Sequence, residues 1–508
     1  MKKEKQLAKN MAAQVVSFVL SVLISFFLAS FVVGKIGTDV YGFVGLANNI
    51  TSYMAIFTVA INGLANRYIT ISYVKDDIKS ANMYFTSVTA ANLIVILAVF
   101  IPVVILIARL EHIINIPSGF ENDVKLLWAF VFLMFAMQLA FGRCEVAVFA
   151  KNRLDLTAMK TAESNILKII LLTVLYCTLR PRILYVGISA FICAGYIVVW
   201  NIHYMKKLTP ELKFDKKLVN FGAVGEILKN GIWNSAEHMS SLLFTGLDLL
   251  IANLFIGASG MGILSIAKTV PMHIMSFVAM IAGVFYPSMT VTYAKGDNDQ
   301  FVSETSLALK ICGAVCSVPL IGFVVFGKEF YGLWLPSLSA AELNEVQILS
   351  VLTILPQIFS MYIYPLYQVN TLTCKLKAPA IVNIALGALN IVLVFVLLKY
   401  TDLGLYAIAG VSSILLALRI LLFIPMYAAA KLGRRLFEFY PAILRGILLN
   451  AVLLAVFSVV RRIILPQTVI SFISAAGICG VLGYAVCICI LFRKEERKSL
   501  KNMIKKVK

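Results

Sequence analysis

The chain predicts an all-α polytopic membrane protein of about fourteen transmembrane helices, and three observations carry that reading. Hydrophobic residues make up 60% of the 508 positions and charged residues only 14%, too few polar side chains to cover a water-soluble surface. Apolar runs long enough to cross a bilayer recur from end to end, separated by short polar connections. The 45 Lys and Arg, against 25 Asp and Glu, are sorted by connection, so the net charge of +20 is a topology signal rather than a nucleic-acid footprint. A disordered chain, a secreted disulfide scaffold and a soluble nucleic-acid binder are excluded by the same arithmetic.

The runs fall at 11–33, 41–66, 83–108, 124–149, 157–178, 183–202, 231–256, 261–287, 304–327, 346–369, 378–399, 404–427, 441–460 and 467–492. The first is too long for a signal-peptide core and lacks a small-residue cleavage site, so it reads as a retained signal anchor. The pairs 157–178/183–202 and 378–399/404–427 read as tight helical hairpins. With a cytoplasmic N-terminus, the inward connections carry 28 Lys and Arg and the outward ones 9. That ratio obeys the positive-inside rule and expects both termini in the cytoplasm. The tail 493–508, with eight basic residues, is expected to lie along anionic headgroups. Trp128, Trp200 and Trp233 at span ends and Trp334 in an outer connection suit an interfacial belt.

The chain also matches itself. Residues 36–77 align without a gap on 256–297 and share 11 of 42 positions, pairing Gly37 with Gly257, Gly42 with Gly262, and Thr70, Tyr73, Lys75 and Asp77 with Thr290, Tyr293, Lys295 and Asp297. A weaker match sets 154–175 on 376–397. Six spans separate the copies, so they share one orientation and imply two parallel six-helix bundles with a substrate site between them. The expected organisation is an N-terminal lobe over 1–202, a cytoplasmic connection over 203–230, a C-terminal lobe over 231–427, two additional helices over 428–492 and the basic tail. Pro356 and Pro365 inside span ten, and Pro271 and Pro287 around span eight, free backbone carbonyls that neighbouring helices must satisfy.

Nine cysteines form no CxxC pair and four histidines are scattered, so no metal and no cofactor is expected and the cysteines read as small hydrophobes. The informative residues are the charges inside spans. Lys160, Lys310, Arg419 and Arg445 are expected to snorkel to the headgroups. Arg67 and Arg143 end spans two and four and are candidates for a cavity mouth. Lys168 and Lys268 lie deep, where an ammonium costs about 2.5–3.5 kcal/mol on insertion scales, and persists most readily facing water, a counter-charge or an anionic substrate. Their repeat partners are Asn390 and Asn48. Glu237 and Asp248 are eleven residues apart on span seven and share one face of a regular helix; with Glu163 they are the candidate ion-coupling carboxylates. Asn48 and Asn49 suit either interhelical hydrogen bonds or sugar contacts, and Phe359, Tyr362, Tyr364 and Tyr367 on span ten suit either sugar rings or helix packing.

Several stretches then resemble the multidrug/oligosaccharidyl-lipid/polysaccharide exporter superfamily, in particular its bacterial polysaccharide flippase branch. They are Gly37-Thr-Asp-Val-Tyr-Gly42, Leu247-Asp248-Leu-Leu-Ile-Ala-Asn253 leading to Gly257 and Gly262, Pro287 followed by Tyr293-Ala-Lys-Gly-Asp297, and Leu333-Trp334-Leu335-Pro336. The resemblance implies a V-shaped, MATE-like, two-lobed transporter working by alternating access. Its expected substrate is an undecaprenyl-diphosphate-linked oligosaccharide, moved from the cytoplasmic to the outer leaflet of the bacterial inner membrane for surface polysaccharide assembly. It further implies a cationic cavity, here offering Lys168, Lys268, Arg67 and Arg143 with Asn48 and Asn49, and a coupling ion, H+ or Na+. The polysaccharide polymerase machinery is an expected partner, and no nucleic acid is. Two alternatives stand beside this reading: a multidrug or cation antiporter of the same fold, which would favour an acidic cavity, and an integral-membrane polymerase or ligase. The latter needs a sizeable outer loop with catalytic residues, whereas the longest outward connection, 328–345, has eighteen residues and no such cluster.

Overall fold

The computed structural model describes residues 2–492 except 284, 287, 288, 290, 291, 294–296 and 374–376. Pro287, Thr290, Lys295, Cys374 and the basic tail 493–508 therefore lie outside the described residues. Every regular element among those described is helical. In chain order they are α1 (Lys2–Ile36), α2 (Thr38–Val74), α3 (Ile78–Ala108), α4 (Glu121–Phe141), α5 (Val146–Ala150), α6 (Leu154–Thr178), α7 (Leu184–Leu208), α8 (Phe221–Ser241), α9 (Asp248–Phe255) and α10 (Ala258–Gly283). There follow α11 (Asn298–Trp334), α12 (Ala340–Ser360), α13 (Tyr364–Leu372), α14 (Lys377–Tyr400), α15 (Leu405–Leu418), α16 (Ile424–Lys431), α17 (Tyr440–Ile463) and α18 (Val469–Leu491). Thirteen stretches among the described residues are long and apolar enough to cross a membrane. The remaining expected span, 41–66, lies inside α2, which carries Asn48, Asn49, Thr51 and Ser52 in its first half.

The chain groups into two compact units, Met1–Ser265 and Ile266–Lys508. In the first, α4 packs on α7, α1 on α6, and α2 on both α3 and α8. The segments α8 and α9, placed by the sequence at the head of the second lobe, lie against α2 and group with this unit. The connection from α7 to α8 is held along α3: the Asn82 amide donates to the Glu211 carbonyl (3.0 Å) and accepts from the Lys213 N–H (2.8 Å). Further along, the Asp215 and Asn220 N–H groups donate to Thr86 (3.1 Å) and Ser87 (2.8 Å). At the α2–α3 turn Asp77 caps α3, accepting from the Ser80 N–H at 3.0 Å, and these bonds hold its carboxyl below the usual range.

The repeat is visible in the backbone. Gly37 and Gly257, its paired first glycines, both open a helix with positive φ, 83° and 107°, a conformation that costs only glycine nothing. Gly42 and Gly262 abut each other: a Cβ at Gly42 would sit 3.0 Å from the Gly262 Cα, and one at Gly262 would overlap the Thr38 carbonyl.

In the second unit α11 packs on α12, α17 and α18, and α12 on α15. Span ten breaks between its two prolines. α12 ends at Ser360 and α13 begins at Tyr364, and the turn between them drives Tyr362 into the core at 1% exposure. Its ring fills the space left by Gly313 on α11 and Gly446 on α17, where any Cβ would overlap it. Its hydroxyl lies 2.6 Å from Ser317 Oγ and 3.1 Å from Asn450 Oδ1, and Asn450 donates to the Ile358 carbonyl at 3.2 Å. Packing is therefore the role of Tyr362, as it is for Tyr367, whose hydroxyl accepts from Arg419 at 2.9 Å.

Other interruptions follow one rule. A proline lacks the N–H that would reach the carbonyl four residues back, and in each of three cases a hydroxyl from another helix lies within hydrogen-bond reach of that carbonyl. Ser350 lies 2.9 Å from the Ala267 carbonyl behind Pro271, Tyr484 3.3 Å from the Val315 carbonyl behind Pro319, and Tyr440 2.6 Å from the Leu421 carbonyl behind Pro425, inside a π-helical turn over Arg419–Phe423. In hydrocarbon no water can substitute. Tyr440→Phe should therefore lower stability by about 1–3 kcal/mol, read as a lower Tm of the purified protein, whereas Tyr400→Phe, at a side chain 73% exposed, should leave it unchanged.

Candidate functional site

Inside the first unit, α1, α2, α6 and α7 line a half-open pocket of about 110 Å³ that includes Ser21, Ser25, Tyr41, Asn165 and Lys168 among mostly aliphatic side chains. Its polarity follows from spacing. Ser21 and Ser25 are one turn apart on α1, and Asn165 and Lys168 one turn apart on α6, so each pair shares a face. Asn165 donates to Ser21 Oγ at 2.6 Å and Ser21 donates to the Ser17 carbonyl at 2.7 Å, a chain that fixes the floor of the cavity. Lys168 brings the only formal charge among the lining residues. Among the described residues no carboxylate forms an ion pair with it.

The other candidate residues are placed elsewhere. Lys268 is half-buried on α10, within the second unit. Arg67 is exposed on α2. Arg143 sits where α4 tightens into a 3-10 turn over Gly142–Glu145, and donates to the Asn62 carbonyl (3.2 Å) and to Asn66 (3.0 Å). Asn62 in turn exchanges amide bonds with the buried Asn92, which also donates to the Leu139 carbonyl at 3.1 Å. Glu163 pairs with Lys160 at 2.7 Å and accepts from the Tyr196 hydroxyl, while the Lys160 ammonium lies 3.8 Å over the Trp200 ring. Asn48 is exposed. Asn49 donates to the Gly246 carbonyl at 3.0 Å, and Tyr53 donates to the same oxygen at 2.6 Å.

That oxygen belongs to a π-helical turn, Leu242–Gly246, between α8 and α9. The wider turn changes the phase of the helix, so the expected shared stripe of Glu237 and Asp248 does not form: Glu237 is exposed, whereas Asp248 is buried at 4%, within electrostatic reach of Tyr53. Ser235 and His238 on the α2-facing side of α8 reach the Ile56 and Ser52 carbonyls, each at 3.0 Å. Beyond the turn, Asn253 and Asn115 exchange three hydrogen bonds of 2.7–3.0 Å, fastening the connection before α4 to α9. The stretch from Asp248 to Asn253 thus has a structural role in its last residue.

Two further expectations are corrected. Lys310 is 8% exposed and does not snorkel, because α11 starts at Asn298, six residues before the expected span, and buries it three turns deep. Trp128 is 4% exposed and packs with Met54, Val131 and Phe132 between α2, α3 and α4, because α4 starts at Glu121 and carries the indole past the interface. Eight cysteines are free thiols, six of them buried, and among the described residues no three His, Cys, Asp or Glu side chains converge. Ser21, Ser25, Tyr41 and Asn165 were not singled out by sequence. Their signal was available in the one-turn spacing of Ser21 with Ser25 and of Asn165 with Lys168.

This helical, multi-pass architecture is a fold shared with solved membrane transporters. The chain is 28% identical over 512 aligned residues, 98% of either chain, to the uncharacterized membrane protein EpsK of Bacillus subtilis (strain 168). Among solved structures it is similar to the lipid II flippase MurJ in an inward closed conformation, with a TM-score of 0.64 at 14% identity over 94% of this chain and 97% of that one. It is also similar to an inward-facing multidrug resistance MATE family transporter of the MOP superfamily, with a TM-score of 0.62 at 10% identity over 83% of this chain and 98% of that one. No protein-family model matches the chain.

The shared carbonyl at Gly246 makes a coupling prediction. Asn49→Ala or Tyr53→Phe alone leaves one donor in place, whereas the double variant leaves the oxygen bare. The two should therefore be non-additive, with an interaction energy of about 0.5–3 kcal/mol, measurable in a double-mutant cycle of thermal or denaturant unfolding.

Proposed function

We propose that this protein is a flippase of lipid-linked oligosaccharides, carrying an undecaprenyl-diphosphate-glycan across a bacterial cytoplasmic membrane for surface polysaccharide assembly, with both termini in the cytoplasm. The observation that carries the reading is the cavity around Lys168. A lysine held in mid-span costs insertion energy that an anionic ligand offsets, and the lining contains no carboxylate to do so. Extent supports it too: the similarity to a lipid II flippase reaches 94% of the chain, against 83% for a multidrug transporter, as expected if the two C-terminal helices α17 and α18 belong to the flippase type.

In this mechanism the lipid tail stays in the bilayer and the protein shields only the head. Lys168 attracts the diphosphate, and Lys268 and the exposed Arg67 are the other basic residues proposed to draw the anionic head during alternating access. Arg143 and Asn49 are committed to backbone carbonyls and act by holding α2 in place. Asp248 is the better placed of the coupling carboxylates: it is buried, while Glu237 is exposed and Glu163 pairs with Lys160. A proton or sodium ion taken up there resets the cycle. The protein is read as a transporter and carries out no chemistry on its substrate. A drug antiporter of the same fold would place acid where Lys168 stands.

Lys168→Met keeps an unbranched apolar stem out to the ε position and removes the ammonium. Expressed at wild-type level in a strain lacking the gene, it should lower surface-polymer export at least tenfold, while deletion of the gene should leave drug sensitivity unchanged. Undiminished export by this variant overturns the assignment of Lys168.

A further inference from the structure

The connection from α7 to α8 carries an exposed basic and aromatic surface on an anchored backbone. Lys206 and Lys207 in the last turn of α7, and Lys213, Lys216 and Lys217 beyond it, are all exposed. Among the described residues none of the five forms an ion pair. The two acids of the stretch are engaged within the chain: Glu211 accepts from the Tyr73 hydroxyl at 3.1 Å, and Asp215 from the Lys217 N–H at 2.9 Å. Phe214 and Phe221 stand among these lysines, 43% and 60% exposed. Water offers such rings nothing. Beside the ends of two spans, acyl chains are within their reach.

Anchoring turns these side chains into a surface. Leu212 is buried with Ile69, Ala81, Phe85 and Val146. Asn82, Thr86 and Ser87 on α3 bond the backbone at Glu211, Lys213, Asp215 and Asn220. A 3-10 turn covers Lys216–Leu218, and Asn220 caps α8, accepting from the Gly222 and Ala223 N–H groups at 2.8 and 3.3 Å. Such a connection has already lost the backbone entropy that a flexible basic segment would lose on binding.

We propose that this connection is a docking surface for anionic phospholipid headgroups, where Lys213, Lys216 and Lys217 meet the phosphates and Phe214 and Phe221 enter the acyl boundary. Charge complementarity selects the occupant. Each lysine near an anionic bilayer surface strengthens binding by about fivefold. The interleaved rings suit a bilayer, whose interface is charged and apolar at once, better than a soluble acidic polypeptide. The consequence is mechanical: α3 holds the connection, Asn220 starts α8, and α8 packs on α2 and α3. Leaflet charge thereby becomes an input to the placement of α8. The inference concerns the surrounding bilayer rather than the transported molecule, and it stands whether or not the flippase reading does.

The test is photolabelling of the full-length protein in phosphatidylcholine nanodiscs containing a trace of diazirine-bearing phosphatidylglycerol or, separately, diazirine-bearing phosphatidylcholine. Adducts are mapped by mass spectrometry to peptides covering 206–221. The phosphatidylglycerol probe should label this stretch at least threefold more than the phosphatidylcholine probe, and half-molar salt should remove most of the preference by screening. Lys213→Gln, Lys216→Gln and Lys217→Gln together should bring the two probes level with Tm unchanged. Phe214→Ser with Phe221→Ser should lower labelling by both probes while the preference for phosphatidylglycerol persists. Equal labelling of wild type by the two probes returns the surface to a soluble acidic partner and overturns the proposal. A preference that survives in the triple lysine variant overturns it as well.

Discussion

A carbonyl oxygen in hydrocarbon must find a donor inside the protein, and much of this structure is organised by that requirement. Straight helices meet it alone. At three of the helix prolines, at the π-helical turn over Leu242–Gly246 and at the break before Tyr364, a side chain from another helix lies within hydrogen-bond reach of a carbonyl, which ties the position of one helix to an irregularity in another. Ser350, Tyr440, Tyr484 and Asn450 serve this purpose in the second unit, and Asn49 with Tyr53 in the first. The irregularities are therefore joints that fix which helices are neighbours. The core around Tyr362 adds shape to the same logic, since its ring is admitted only because Gly313 and Gly446 have no side chains.

The existence and order of the helices were legible in the sequence, because a twenty-residue apolar run has few other uses. The hairpins α6–α7 and α14–α15, the break in span ten and the capture of carbonyls behind Pro271 could all be anticipated from residue type and spacing. What periodicity could not supply were the helix starts and the phase. Lys310 and Trp128 were misplaced because their helices begin several residues before the apolar run does, so that a position counted as near an end is interior. Glu237 and Asp248 were put on one stripe by assuming 3.6 residues per turn throughout, and five residues of π-helix were enough to part them. Nothing in Leu242–Gly246 announces a wider turn, since the feature is maintained by donors on α2, almost two hundred residues away in the chain.

The candidate site divides in the same manner. Depth of a charge in a span drew attention to Lys168, and the structure places it in the lining of the pocket formed by α1, α2, α6 and α7. Its companions were harder to find, since serine, tyrosine and asparagine occur in spans for many reasons and their convergence depends on three helices meeting. Conversely, Arg143, Asn49 and Glu163 drew attention as charges or amides within the membrane, and the structure gives each a partner that accounts for its presence.

The abutting glycines of the two repeats carry a consequence for how such a chain arose and how it can vary. In a symmetric pair of identical subunits, a residue on the dyad meets its own copy, and a single codon keeps both sides of the contact small. Once the copies are fused, Gly42 and Gly262 are encoded separately but still share one space, so either can spoil the fit alone. Duplication freed most of the surface to diverge, as the pairing of Asn48 with Lys268 illustrates, while at this spot it doubled the number of ways to fail.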